Sequence, residues 1–274
     1  MNDLTTNVNA ERFQCEADKY AAYLDTPEGR LRIDLPFATL QEFLPKDTQS
    51  LKALDLGGGT GANAVRLARL GLHITVLDAS LPMLEFANRA AREAGLEEKI
   101  ALKHGDAAQL ASLFPVGSFD LILCHNVLEF VDNPGAVLRD AACALRDLSG
   151  MISVLVRNQP GEVLKAALLN GDLAAAEDSL SAEWGDESLY GGKVRLFSGE
   201  SLRAMLAQAS FKVTAERGVR VLSDYLPSKI SRNDEYEQIL ALERELGRRP
   251  EFAAVARYSH CIAHRGGSAM KDVA

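Results

Sequence analysis

Cysteine is scarce in this chain. The four present, Cys15, Cys124, Cys143 and Cys261, are scattered and form no C-x-x-C pair. That spacing offers neither a disulfide framework nor a zinc site, so they are expected to be small buried hydrophobes. The histidines lack acidic or cysteine partners at ligand spacing, and no metal site is expected. No stretch approaches the roughly 18 consecutive apolar residues of a membrane span. The opening MNDLTTNVNAERFQCEADKY has no basic segment followed by an apolar run, so a cytoplasmic location without a membrane partner is expected. Excess positive charge is missing too: the formal net charge is -8, which argues against a broad polyanion footprint but leaves room for a local basic patch. Repeats and low-complexity tracts are also absent. What remains is a 274-residue chain, 47% hydrophobic and 25% charged, enough for one large core. The expected organisation is a single domain over 1–265, with 266–274 a flexible tail.

The first half alternates strand and helix. Ala53 to Leu56 is a short apolar run ending in glycines, and Ala64, Leu67, Ala68 and Leu70 follow at helical spacing. His73 to Leu77 reads as a second strand. Ser80 is a plausible N-cap, Pro82 sits in the first turn, and Met83, Phe86, Ala87, Ala90 and Ala94 make one face before Gly95. Ile100 to Lys103, Phe119 to Cys124 and Met151 to Val156 read as three more buried strands. A helix over Val137 to Leu145 separates the last two. This pattern predicts a doubly wound α/β fold, a mostly parallel sheet with helices on both faces. Phe211 to Val221 and Ala253 to Ala263 supply two further β-rich runs, seven in all, with a helix over Glu235 to Leu246 between them. Residues 1–50 read as an N-terminal helical cap, 51–156 as a cofactor-binding half and 157–265 as a substrate-facing half. Within the latter, a lid insertion over about 161–197 begins helical and turns Gly- and Ser-rich.

Chemistry concentrates in the first turn. Asp55-Leu56-Gly57-Gly58-Gly59-Thr60-Gly61 follows a strand and opens a helix. The glycines let backbone approach a ligand closely while free N–H groups and the helix N-terminus face it. Gly57, Gly59 and Ala62 also satisfy the dinucleotide pattern, so the turn alone does not choose between adenosine-type cofactors. Asp78 ends the second strand about 20 residues later, where a carboxylate can accept both hydroxyls of a ribose; capping the next helix is its plainer role. His125 stands at the carboxyl end of a central strand, either as a functional group or as a hydrogen-bonded buried histidine. Leu128, Phe130 and Val131 read as core.

Three features favour a methyl donor over a dinucleotide. Asp55, two places before the first glycine, gives the D/E-x-G-x-G-x-G form that resembles the first motif of class I methyltransferases, and sets negative charge near a ligand bearing an ammonium and a sulfonium. Gly105-Asp106-Ala107 resembles the family's adenine-binding turn, although Asp106 also suits an ordinary turn. Phe119 to Pro134, FDLILCHNVLEFVDNP, resembles its fourth strand and following loop. The resemblance implies the Rossmann-like class I sheet and S-adenosyl-L-methionine as cofactor, released as S-adenosyl-L-homocysteine. The candidate cofactor residues are Asp55, Gly57, Gly58, Gly59, Gly61, Asp78, Ala79, Asp106, Ala107 and His125.

The C-terminal third narrows the resemblance. Gly218-Val219-Arg220-Val221, Asp224-Tyr225-Leu226, Tyr236, Leu242-Glu243 and Arg257-Tyr258-Ser259-His260 look like the tail of the bacterial tRNA 5-carboxymethoxyuridine methyltransferase family, as does Gly29-Arg30-Leu31-Arg32 near the start. That family methylates the carboxylate of a modified wobble uridine, which implies tRNA as partner and a role in tRNA processing. By motif match, its cofactor contacts fall on Arg32, Gly58, Gly59, Asp78 and His125, with Arg32 a natural partner for the cofactor's carboxylate. The match is loose between 161 and 200. Where a lysine-rich run is expected in the lid, this chain has Tyr190-Gly191-Gly192-Lys193-Val194-Arg195, so tRNA and a small-molecule acceptor both stand. A non-catalytic cofactor-binding regulator is a third reading. Candidate acceptor-binding residues are Arg157, Tyr190, Arg195, Arg220 and Tyr225; His125, Arg195 and Tyr225 are the candidates for a catalytic role.

Overall fold

The computed structural model describes residues 16–187, 189 and 191–266. Helices α1 (Ala17–Leu24) and α2 (Pro27–Gln41) precede the sheet. Then come β1 (Lys52–Leu56), α3 (Ala62–Arg69), β2 (His73–Asp78), α4 (Leu81–Glu93), β3 (Ile100–His104), α5 (Leu110–Leu113), β4 (Leu121–His125), α6 (Pro134–Ala144) and β5 (Met151–Arg157). The stretch read as a lid holds α7 (Gln159–Leu164), a π-helical turn at Lys165–Leu169, α8 (Leu173–Ser179) and a hairpin of β6 (Trp184–Asp186) and β7 (Lys193–Arg195). After it follow α9 (Gly199–Gln208), β8 (Phe211–Val219), α10 (Tyr236–Arg248), α11 (Pro250–Ala253) and β9 (Tyr258–Arg265).

The seven-stranded sheet has the order β3-β2-β1-β4-β5-β9-β8. β1 to β5 pair in parallel, while β9 runs antiparallel to both of its neighbours. The strand order reverses between β1 and β4, and the crevice beyond their carboxyl ends is where ligands bind in such sheets. All seven residues of β5 are buried, as a central strand covered on both faces requires. One face packs Leu54, Leu56 and Ile122 against Leu138 of α6 and Leu206 of α9. The other packs Ala53, Leu123 and Ile262 against Leu40 of α2 and Leu67 of α3.

Local chemistry sets the element ends. Ser80 caps α4 through the Met83 N–H, and Ser198 caps α9 through the Ser201 N–H at 3.0 Å. Two buried carboxylates tie the C-terminal half together. Glu243 on α10 accepts the backbone N–H groups of Val221, Leu222 and Ser223 at 2.7, 3.0 and 2.7 Å. Asp34 on α2 accepts from Arg66 of α3 with one oxygen and from Tyr236 of α10 with the other.

Several sequence expectations move. Phe119 lies outside β4, in an isolated bridge to Leu145. β8 ends at Val219, because Arg220 turns the chain at φ 60°. The run from Ala253 is not strand at its start: Pro250 opens α11, and pairing begins only at Tyr258. Cys124 and Cys261 are buried as expected, but Cys143 is exposed on α6; Cys15 and the tail beyond 266 lie outside the described residues. Among the described residues no His, Cys, Asp and Glu cluster could hold a metal, and no helix is long and apolar enough to cross a membrane.

Candidate functional site

The turn after β1 is held by the neighbouring strand, since the Leu77 carbonyl accepts from Gly57 N at 2.7 Å and Gly58 N at 3.3 Å. Gly57 and Gly59 adopt φ 64° and 53°, conformations that glycine takes without strain. The glycines do different work. A Cβ at Gly57 would meet Val127 Cγ2 at 2.5 Å, and one at Gly58 would meet the Asp55 carboxyl carbon at 2.7 Å. One at Gly61 would press on Ala87 of α4 at 3.0 Å, so Gly61 serves helix packing and does not line the cavity. Gly59 alone opens outward, with only Tyr20 at 3.6 Å and Met83 at 3.9 Å near that position.

Asp78, at the tip of β2, uses one oxygen to accept Gly59 N and the other to accept Ser80 N, both at 2.8 Å. Its carboxylate therefore fixes the glycine turn as well as capping the next segment, and still borders the cavity. Burial raises its pKa, and those two backbone donors oppose the shift. Asp55 is more deeply placed. Its Oδ2 is buried without a partner, and burial together with the nearby Asp78 charge pushes its pKa up to about 7. An unpartnered carboxyl oxygen there suits a cationic ligand group.

Two adjoining lobes share Tyr20, Arg32, Gly57, His125 and Asn126. The first carries Gly59, Asp78, Ala79, Asp106 and Ala107. The second carries Asp55, Gly58 and Asn63. Asp106 borders the first lobe and also caps the Ala107–Gln109 turn through Ala108 N at 2.8 Å, as its plain turn reading expects. His125 donates or accepts toward Ser153 Oγ at 2.8 Å, and burial lowers its pKa to about 3, so it is neutral at physiological pH. Arg32 on α2 donates its Nε–H to Asn126 Oδ1 at 2.9 Å and lies 5.5 Å from the Tyr20 ring centroid.

A third, smaller cavity adjoins these through Arg32, Asn126 and Phe130, and is completed by Glu129, Arg157, Glu187, Val194 and Tyr258. Arg157 is buried there, paired with Glu187 at 2.5 Å and with Glu162 at 3.6 Å. The other acceptor candidates lie elsewhere. Arg195 stacks over Trp184, 4.6 Å from its ring centroid, Arg220 pairs with Asp224, and Tyr225 occupies a 3-10 turn with its hydroxyl buried and unpartnered; none of the three lines these cavities. Tyr190 lies outside the described residues.

Sequence reasoning missed several lining residues. Phe130 and Val131, read as core, face the first lobe; only Leu128 is fully buried. Asn126 adopts φ 55°, a conformation that asparagine tolerates best among side-chain-bearing residues. That places its amide between Arg32 and Glu129, bonding each at 2.9 and 2.8 Å. The His-Asn pair at a strand end was the available signal. Tyr20 and Met83 reach the cavity from helices and left no signal of their own.

Comparison with known proteins agrees with this geometry. A methyltransferase domain model matches residues 29–216. The tRNA 5-carboxymethoxyuridine methyltransferase of Escherichia coli strain K12 is 30% identical over 263 residues, spanning 93% of this chain and 96% of that protein. A ubiquinone biosynthesis O-methyltransferase of Caulobacter vibrioides is 33% identical, over 58% of each chain. Among solved structures, a methyltransferase of Thermotoga maritima described as a possible histamine N-methyltransferase superposes with a TM-score of 0.60 at 17% identity, covering 93% of this chain and 98% of its own. With a nucleotide-type crevice at the switch of strand order and a family match across most of its length, the chain belongs to the class I S-adenosylmethionine-dependent methyltransferases.

Proposed function

We propose that this enzyme methylates a carboxylate, and that its acceptor is 5-carboxymethoxyuridine at the tRNA wobble position. The observation that carries the reading is the buried Arg157 guanidinium on the wall of the third cavity, continuous with the cofactor lobes through Arg32, Asn126 and Phe130. A guanidinium fork there supports binding of an acceptor carboxylate. That nucleophile is already ionised at neutral pH, so alignment suffices and no general base is needed. When bound, S-adenosylmethionine would supply an electrophilic methyl group on a sulfonium, and its transfer to a carboxylate oxygen would leave a neutral ester and the thioether S-adenosylhomocysteine. His125, neutral and hydrogen-bonded, suits positioning better than proton transfer. In the unliganded protein Glu187 pairs with Arg157, and an acceptor carboxylate would compete with it under the 161–197 lid. The relative matched over nearly its full length, a tRNA 5-carboxymethoxyuridine methyltransferase, supports 5-carboxymethoxyuridine in tRNA as the acceptor.

The residues present fit the cofactor. Asp78 and the Asp106–Ala107 turn suit ribose hydroxyls and adenine, Arg32 suits the methionyl carboxylate, and the unpartnered Asp55 Oδ2 suits the ammonium. Because the Asp55 carboxyl titrates near pH 7 in the free protein, only its ionised fraction welcomes that ammonium. Donor affinity is expected to rise about fivefold between pH 6 and pH 7, with proton release on binding, by one-site linkage. Calorimetry in buffers of differing ionisation enthalpy checks this, and Asp55→Asn should flatten the dependence.

A small carboxylic acid is the second reading, and the charge of the lid supports it. Between 161 and 197 stand Glu162, Asp172, Glu177, Asp178, Glu183, Asp186 and Glu187 against Lys165, Lys193 and Arg195, and Lys193 is itself paired with Asp186 at 2.7 Å. The deciding assay is turnover on unmethylated tRNA beside a panel of small acids, at two salt concentrations. A tRNA acceptor predicts steep salt dependence from counterion release, and loss of tRNA binding without loss of donor affinity on charge reversal at the exposed Lys229. Turnover of a small acid, with none on tRNA at low salt, replaces the first reading by the second.

A further inference from the structure

Among the described residues, two carboxyl oxygens are buried without a hydrogen-bond partner, Asp55 Oδ2 and Glu129 Oε2. The first belongs to a residue of the cofactor lobes. The second belongs to a residue of the third cavity, and the transfer step leaves it unused. Glu129 is only 3% exposed. A bare oxygen at that depth is costly unless a ligand or water satisfies it.

The rest of Glu129 is held by three elements. Its Oε1 accepts from Asn126 Nδ2, in the loop after β4, and from the backbone N–H of Arg157 at the end of β5, both at 2.8 Å. Its carbonyl accepts the Arg195 N–H of lid strand β7 at 3.1 Å. The Arg157 guanidinium leaves Oε2 alone, since its ion pairs go to Glu187 and Glu162, and among the described residues Glu129 forms no ion pair of its own. Burial raises the Glu129 pKa, and the Asn126 and Arg157 donors oppose that shift; a donor brought to Oε2 acts in the same sense as those two. One cavity thus offers an incoming molecule two unlike groups, a guanidinium that suits a carboxylate and a carboxyl oxygen that suits an N–H or O–H.

We infer that Glu129 is a specificity residue for the acceptor: its Oε2 takes a hydrogen bond from an N–H or O–H group that the acceptor carries in addition to its carboxylate. A uracil base meets that requirement through its N3–H, and a small hydroxy or amino acid meets it as well. A plain monofunctional acid does not. The inference rests on the carboxylate-acceptor reading and adds a second point of recognition to it.

Glu129→Gln tests it with little change of shape. The amide oxygen keeps the Asn126 and Arg157 donors, which leaves an NH2 group where Oε2 stood, a donor in place of an acceptor. On tRNA bearing 5-carboxymethoxyuridine, or on the small acid that turns over, kcat/KM should fall about tenfold or more, with S-adenosylhomocysteine affinity by calorimetry within about twofold of the unaltered protein. An unchanged or raised kcat/KM overturns the inference. A second measurement needs no activity from the variant. Binding in the presence of S-adenosylhomocysteine is compared for 5-carboxymethoxyuracil and its N3-methyl derivative or, if a small acid is the acceptor, for that acid and its O- or N-methyl analogue. The unaltered protein should prefer the compound with the free donor about fivefold or more, and Glu129→Gln should lose the preference. Equal binding by the unaltered protein, or a preference that survives the substitution, overturns the inference alone. No turnover of tRNA or of any acid by the unaltered protein would instead overturn the carboxylate reading, and this inference with it.

Discussion

Replacing Asp78 by alanine is expected to weaken S-adenosylmethionine binding by about two orders of magnitude. Two charge-assisted hydrogen bonds to ribose hydroxyls, at about 1.5 kcal/mol or more each, account for that loss. A second effect acts in the same direction. The carboxylate also anchors Gly59 N and Ser80 N at 2.8 Å, so the glycine turn loses its brace when the side chain is cut. Asp78→Asn separates the two, because its amide oxygen still accepts from one backbone donor but offers the ribose only a neutral partner. Calorimetric titration of both variants, with thermal unfolding to verify the fold, gives the comparison. Unchanged affinity in Asp78→Ala would mean that the ribose lies elsewhere.

The largest expected effect on stability belongs to Glu243. Its carboxylate is fully buried and satisfies three successive backbone N–H groups where the chain leaves β8. Glu243→Ala strands all three in the interior, and unsatisfied buried donors cost about 1 to 3 kcal/mol each. Allowing for partial relaxation and water, a destabilisation of about 4 kcal/mol is expected, or roughly a 10 °C fall in Tm for a domain of this size. Glu243→Gln keeps an acceptor and should fall between. Differential scanning calorimetry reads both. A shift under about 1 kcal/mol for the alanine variant would show that the turn re-forms its hydrogen bonds without the side chain.

Much of the parallel half was legible because its signals are local. The Asp55–Gly61 turn, the Ser80 cap and the apolar run of β5 each declare an element within a few residues, and all three stand where periodicity puts them. The end of the chain was harder. The apolar Phe252-Ala253-Ala254-Val255-Ala256 run resembles a strand, yet Pro250 starts a helical turn and Arg257 is drawn into ion pairs with Glu162 and Asp224, contacts that no local pattern announces. The site divides the same way. Residues at strand ends, such as Asp78 and His125, were readable from position in the topology, whereas Tyr20 and Tyr258 arrive from opposite ends of the sequence. Arginines were the least readable. Arg157, Arg195 and Arg220 look alike in sequence, and only packing shows one on a cavity wall, one stacked on an indole and one neutralised by Asp224.

The Asp34 carboxylate bears on how the molecule comes apart. One oxygen holds a helix of the nucleotide-side half through Arg66, the other holds the C-terminal half through Tyr236, and both bonds depend on a single turn of α2. Opening either half therefore strips a partner from the helix that secures the other. Losses at the two ends are coupled, which favours one all-or-none transition over stepwise melting of halves. Helix α2 thus acts as a clasp on cooperativity as well as a cover for the sheet.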